Sequence, residues 1–316
     1  MKLPSFLRTP PPPVAIEIAP TRVVAVAVSG TLSAGLKVTG VAVEAITGGA
    51  VVPSLTAANF ARPLDVSAAV GRALDQLGQR PRRVALVIPD AAAKVSLVRF
   101  QEVPSKSADL DDLIRFQIRK AAPFRVEDSQ IAYAAGEKSA DGQDYVVVQA
   151  RRDVIAEYEQ ACIATGATPG IVELTTFGLS QYVLAAGGNL TGDWLLIHAR
   201  TDGATLAIFR GQHLVFFRHR GADGDGHLGE LVHQTAMYYQ DRLGGKGFSR
   251  VMVGGTPQSE LTSPAWSTIQ ARLGVRAEAV EPDRSVAVAS RAPWAPDTLE
   301  MAAPALGVVL SLYAGG

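Results

Sequence analysis

Two distant stretches of this sequence repeat one layout. "VAIEIA", "RVVAVAVS" and "LKVTGVAVEAI", from Val14 to Ile46, are apolar runs separated by turn residues, and "DVSAAVGRALDQLG" follows with the spacing of an amphipathic helix. From Asp193, "DWLLIHA", "GATLAIFR" and "HLVFFRHRG" restate the pattern, with turns at Asp202-Gly203 and Arg210-Gly211, and lead into the helix "GELVHQTAMYYQDRLG". Each copy is a three-strand meander feeding a helix. A unit of that kind written twice predicts a mixed α/β body of two lobes with a cleft between them.

A different segment lies between the copies. "RRVALVIPD", "KVSLVRF" and "DYVVVQARR" read as strands, while "SADLDDLIRFQIRKAAPF" reads as a helix with Ser107 as its N-cap and Pro123 beyond its end. "DVIAEYEQACIATG" is a further helix, and "GIVELTTFGLSQYVLAAGG" supplies a strand and a helix. The expected organisation is an extended or disordered tail over 1–13, a first lobe over 14–190 containing an extra subdomain at about 90–170, and a second lobe over 191–300. In the last third "RVMVGGTPQ" is a strand ending in a glycine pair, proline between Glu281 and Asp297 predicts an irregular connection, and the helix over 301–316 is expected to pack back on the first lobe.

Several functional classes are disfavoured by composition. Thirty basic residues balance thirty acidic ones, so no net charge draws the chain to nucleic acid or to an anionic membrane. The start, "MKLPSFLRTPPPP", is too short in its apolar part and too rich in proline for a signal peptide, which predicts a cytoplasmic chain. No window supplies the roughly 18 apolar residues of a membrane span, so work at a membrane requires a partner to hold the protein there. The single Cys162 falls on the apolar side of its helix and reads as a buried structural thiol. "GADGDGHLGE", with Asp223, Asp225, His227 and Glu230, lacks the ligand ladder of a calcium loop and reads as a connection. His213, His219 and His233 stand without a paired Ser or Cys motif, and Met237 and Tyr238 are expected in the core.

The stretch "VALVIPDAAAKVSLVRFQEVPSKSADLDDLIRFQIRKAAPFRVEDSQIAY", continued by "VVVQARRDVIAEYEQACIATGATPGIVELTTFGL" and later by "HQTAMYYQDRLGG", resembles the PilM type of type IV pilus assembly protein. That family is part of the actin-like ATPase superfamily and is related to the cell-division protein FtsA. The resemblance implies an actin-like two-lobed fold with duplicated meander and helix units and an FtsA-type extra subdomain. It also implies a cytoplasmic protein peripheral to the inner membrane, bound to the cytoplasmic tail of a PilN-like membrane protein. It leaves self-association into a homo-oligomer open.

The same resemblance points to where a nucleotide would sit. In the superfamily the first hairpin offers an aspartate, a glycine and a hydroxyl-rich turn, because backbone amides must approach phosphate closely and a carboxylate orders magnesium-bound water. Here Glu17 takes the acid position and Ala19, Pro20, Thr21 and Arg22 form the turn, in which Pro20 has no amide to donate. The second hairpin places His198, Ala199 and Arg200 where aspartate and glycine are expected, and imidazole is a poor ligand for a hard cation. Arg200 instead offers positive charge for an anion. Gly254 and Gly255 keep the positions that pass beside adenosine in relatives. The expectation is a degenerate nucleotide site with no catalytic residues, no bound metal and no required cofactor, against the alternative of ATP held with magnesium.

On the helix after Ser107, Leu110, Leu113, Ile114 and Ile118 share one face and are expected in the core. Phe116, between Arg115 and Arg119, falls elsewhere; it is either a partner-binding surface with those arginines or a second buried contact. Three functions follow: an adaptor that receives a partner's tail in a groove of the first lobe, by apolar pockets and strand addition; an active actin-like ATPase or sugar kinase; or a type II secretion platform component of similar fold. Intact aspartate-glycine pairs would favour the enzyme, and they are missing.

Overall fold

A computed structural model describes residues 10–30, 36–186, 190–222, 228–281, 287–288 and 294–314. Two sheets carry the duplication. The first meander is β1 (Val14–Ile18), β2 (Arg22–Ser29) and β3 (Lys37–Ala45); α1 (Pro63–Gln76) then leads to β4 (Arg83–Ile88). β4 lies parallel to β1, and β8 (Thr168–Leu174) lies parallel to β4 at the sheet edge.

The second sheet repeats this order. Its meander is β9 (Asp193–Arg200), β10 (Gly203–Arg210) and β11 (His213–Gly221), followed by α5 (Leu228–Leu243). β12 (Arg250–Gly254) lies parallel to β9 and β13 (Ala277–Ala279) parallel to β12. Between them runs α6 (Pro264–Leu273), capped by the Ser263 hydroxyl accepting from the Trp266 N–H and ended by Gly274 at φ 69°. β14 (Ala287–Val288) pairs with the outer edge of β3. α1 and α5 therefore hold corresponding places in the two halves.

One half carries an insertion. Between β4 and β8 the chain forms a three-stranded sheet in the order β5 (Ala93–Phe100), β7 (Gly142–Arg151), β6 (Ser129–Ser139), with α2 (Ser107–Ile118) on one face, before α3 (Arg152–Ile163) returns to the first sheet. Alternation along the strands decides what each face covers. Phe100, Tyr145 and Val147 pack with Ile114 and Ile118 of α2, with Leu110 and Leu113 partly buried beside them. α2 begins one residue earlier than expected: Lys106 is its cap and Ser107 its first residue, with no side-chain capping bond.

The lobes meet through two corresponding helices, α4 (Thr175–Ala186) and α7 (Pro296–Ala314). Leu179, Tyr182 and Val183 pack with Ala302, Ala305, Leu306 and Val309 in one core that also takes Val24, Val26 and Val87 of the first sheet. The approach is closest at Gly178 and Gly307: a methyl group at Gly307 would overlap the carbonyl oxygen of Gly178, and one at Gly178 would overlap that of Pro304. Pro304 cannot donate to the carbonyl of Glu300, one turn earlier.

Most single-residue expectations on burial hold. Cys162 is buried, and burial pushes its thiol up to about 12. Met237 and Tyr238 differ: both are exposed, and Tyr239 instead turns into the core, its hydroxyl donating to Asp193 at 2.9 Å. Asp223, Asp225 and His227 lie outside the described residues, as does the tail up to residue 9 and most of the connection after Glu281.

Candidate functional site

The two meander turns face each other across the cleft. β1 and β9 are corresponding strands, and each ends at the cleft with a charged side chain. Glu17, on β1, is completely buried, and its Oε1 accepts from Nη1 of Arg200 at 2.7 Å. Asp202, in the second turn, adds a longer contact of 3.6 Å to Arg200 Nε. Burial alone would lower the Arg200 guanidinium, but Glu17 and Asp202 outweigh it and hold it above its ordinary value. Arg200 is thus committed within the protein, and Glu17 is its counter-ion.

A second polar cluster lies beside this pair. Asp90, directly after β4, accepts from the N–H of Thr176 at 3.1 Å at the start of α4, from the Thr176 hydroxyl, and from the Thr205 hydroxyl of β10 at 2.7 Å. Each threonine hydroxyl has one hydrogen, and here it goes to the carboxylate. Nδ1 of His198, 3.2 Å from Thr176, and Nδ1 of His219, 2.9 Å from Thr205, must therefore be the donors. Burial works to raise Asp90, yet His198 and Thr176 outweigh it and hold its carboxyl below the usual range. Burial, the leading cause, pushes the His219 imidazole below its ordinary value. The cluster joins β4 and α4 of one lobe to β9, β10 and β11 of the other.

These contacts decide how well the site fits a magnesium-nucleotide. The Ala19 N–H donates to the Arg22 carbonyl at 2.9 Å, which removes one phosphate donor beyond the one that Pro20 lacks. The Thr21 carbonyl accepts from Ile46, and its side chain is exposed. Between the turns, walled by Pro20, Asp90, His198, Arg200 and Gly203, the free space is about 20 Å³. That is room for a water molecule, which needs about 10–15 Å³. Oε2 of Glu17 is buried and has no hydrogen-bond partner among the described residues.

A roomier cavity of about 290 Å³ opens next to it, and the sequence-derived residues Arg22, His198, Arg200, Gly254 and Gly255 all line it, together with Asp297, Glu300 and Met301 of α7. Glu17 and Thr21 are not among its walls. Burial and the repulsion of Arg200 lower the Arg22 guanidinium, whose Nε has no hydrogen-bond partner among the described residues. Burial and Asp297 raise the Glu300 carboxyl. The glycine pair has a packing cause: a methyl group at Gly254 would overlap Leu179, and Gly255, at φ +80°, would overlap the Ala199 carbonyl. Among the described residues no group of three His, Cys, Asp or Glu is placed to hold a metal ion.

A third region is an apolar groove of about 380 Å³ on the first lobe. Its walls are β8, the far face of the inserted sheet and α3: Ile171 and Val172, Ala132 and Val148, and Ile155. β8 and β6 are both edge strands, so backbone donors and acceptors border it on two sides. Arg115, Phe116 and Arg119 do not line it. They lie on α2, across the inserted sheet from the groove; all three are exposed, Phe116 at 71%. The sequence pattern points to a groove in the first lobe but not to the residues that line it, and it does not single out Asp90, Thr176, Asp202 or His219, although "VIPD" and "LTTF" carry two of them.

No helix of the described residues is long and apolar enough to cross a membrane. The family profile described as type IV pilus assembly protein PilM matches residues 15–243. A solved PilM-PilN type IV pilus biogenesis complex contains a chain 16% identical, with a TM-score of 0.77 over 96% of this chain and 97% of that one. A Bacteroides thetaiotaomicron protein with an actin-like ATPase fold is 10% identical, with a TM-score of 0.51 over 90% and 97%. The fold is actin-like. No curated protein matches the chain.

Proposed function

The chain belongs to the PilM family of type IV pilus assembly proteins, and we propose that it is a cytoplasmic adaptor of the pilus inner-membrane platform that receives the tail of a PilN-like membrane protein. The observation that carries this reading is the groove between β6, β8 and α3: mostly apolar, about 380 Å³, and bordered by two strands that are sheet edges among the described residues. An extended peptide laid there would gain main-chain bonds from an edge and bury alternate side chains in the groove. Membrane attachment then comes through the partner. The family membership supports the pilus role, and the fold shared with the chain of the PilM-PilN complex supports the choice of partner.

The same reading makes the cleft a scaffold and not an ATPase site. Three features support it: the Glu17–Arg200 pair, the amide of Ala19 bonded within its own turn, and the narrow space between the turns. Titration calorimetry with a synthetic peptide of the platform protein's cytoplasmic tail tests the adaptor. Binding is expected to wild type and lost in Ala134→Trp, which fills the groove from the β6 side. Equal binding by both proteins would move the tail elsewhere, and no binding would end the reading. In parallel, ATP turnover should not exceed background.

A further inference from the structure

The groove is mostly apolar; its polar lining is the neutral side chains of Gln130 and Tyr133 and two carboxyl groups, Glu159 on α3 and Glu173 on β8. Among the described residues no Lys, Arg or His lines it. Glu173 accepts from the adjoining Leu174 N–H at 2.9 Å and from the Gln181 amide at 3.4 Å, both neutral donors. Among the described residues neither glutamate takes part in an ion pair. The neighbouring acid of α3 shows the contrast: Glu157 accepts from the amides of Asn59 and Phe60 at 2.7 and 3.0 Å and serves the fold. Burial, the leading cause, pushes the Glu173 carboxyl above its usual range, as expected for an acid that no cation compensates.

The position of Glu173 also sets a spacing. β8 is an edge strand, and residues two apart point to the same face, so Ile171 and Glu173 stand together. A strand laid along β8 meets them with two of its own side chains, also two apart. We infer that the groove selects an extended tail carrying a Lys or Arg two residues from an apolar side chain, the cation pairing with Glu173 and the apolar group covering Ile171. This rests on the groove being the tail site. Glu159, on the opposite wall, adds to the negative field without fixing the register.

The test uses the full chain and synthetic peptides of the platform protein's cytoplasmic tail in which each Lys or Arg is replaced in turn by norleucine. One replacement is expected to weaken binding to wild type at least ten-fold and to have no effect on Glu173→Gln, while Glu159→Gln keeps most of the difference. A measurement on wild type alone guards against a folding defect: with each basic position set to Lys in turn, zero-length carbodiimide coupling should join one tail lysine to Glu173, located by mass spectrometry. Unmodified tail that binds wild type and Glu173→Gln alike, with no coupling to Glu173, overturns the inference and leaves the groove as the tail site. Failure of the unmodified tail to bind at all overturns both.

Discussion

Oε1 of Glu17 and Nη1 of Arg200 stand 2.7 Å apart, on strands that are counterparts in the two halves of the fold. Both belong to the two hairpins at which the family resemblance leads one to expect a nucleotide. Here they neutralise each other. The pair has little access to water, with Glu17 at 0% and the Arg200 side chain at 12% exposure, so removing either partner strands a buried charge. Arg200→Ala is expected to cost about 3–5 kcal/mol in urea unfolding. The double variant Glu17→Leu, Arg200→Leu should recover most of that loss, since it removes both charges together. Equal loss in single and double variants would mean that packing, not charge pairing, holds the turns together.

The Asp90 cluster predicts a two-step acid response. His219 has a folded pKa below its unfolded value near 6.5, so its contribution is complete above about pH 6.5 and falls as the pH drops towards the folded pKa. Asp90 is depressed as well; its contribution is complete above an unfolded pKa of about 3.9 and is lost as the pH falls through the lower, folded pKa. Urea unfolding from pH 3 to pH 8 should show both steps. Asp90→Asn should remove the lower and His219→Gln the upper. Parallel curves for wild type and Asp90→Asn below pH 4 would contradict this account.

Much of this fold is legible in the sequence because it rests on local pattern. The meanders around Ala19-Pro20-Thr21-Arg22 and Asp202-Gly203 announce themselves by apolar runs and turn residues, and their repetition implies the second lobe. The clusters within the cleft are not local. Asp90 owes its role to Thr205, 115 positions away, and Glu17 meets Arg200 across 183 positions. Glu173 was hidden for the opposite reason: a single acid in "GIVEL" reads as the polar face of a strand until β8 proves to be an edge beside an apolar groove. Met237 and Tyr238 were misplaced because their helix buries Leu231, Val232, Thr235 and Tyr239 and turns the intervening aromatic outward.

The exposed Phe116 predicts a separation of effects. Phe116→Ala should leave the thermal midpoint unchanged, because the side chain is 71% exposed and contributes little to the core of α2. Since the inserted sheet stands between α2 and the groove, isolated tail peptide should bind this variant normally. Binding of the full membrane partner should weaken by ~1–2 kcal/mol, and Arg119→Ala should act in the same direction. A clear loss of thermal stability would restore the core reading of Phe116; unchanged partner binding in both variants would remove α2 from the interface.

The helix crossing gives a sharper test of how the lobes are joined. Gly178 and Gly307 let α4 and α7 approach with backbone against backbone, and a methyl group at Gly307 has no room beside the Gly178 carbonyl. Gly307→Ala should therefore destabilise by about 3 kcal/mol, at the upper end of overpacking costs. Gly229→Ala, which meets only ordinary contact with Ile269 at 3.7 Å, is the control and should change stability by less than about 1 kcal/mol.

Rebuilding the second hairpin tests whether the nucleotide site is one residue from function. His198→Asp restores the carboxylate expected there, yet it sets that group beside Asp90, whose Oδ2 is 3.9 Å from Nδ1 of His198. The new acid replaces a donor to Thr176 with an acceptor, in a buried cluster already holding one negative charge. The first turn remains as it was, with Pro20 lacking an amide and the Ala19 N–H bonded to Arg22. Arg200 still lines the 20 Å³ space between the turns. The variant should lose thermal stability and show neither ATP turnover nor magnesium-dependent heat in calorimetry. Adding Arg200→Gly opens the space but leaves Glu17 buried without its counter-ion, so the double variant should be less stable still. Magnesium-dependent ATP binding by His198→Asp alone would show that the cleft opens more readily than the Glu17–Arg200 pair and the Asp90 cluster allow.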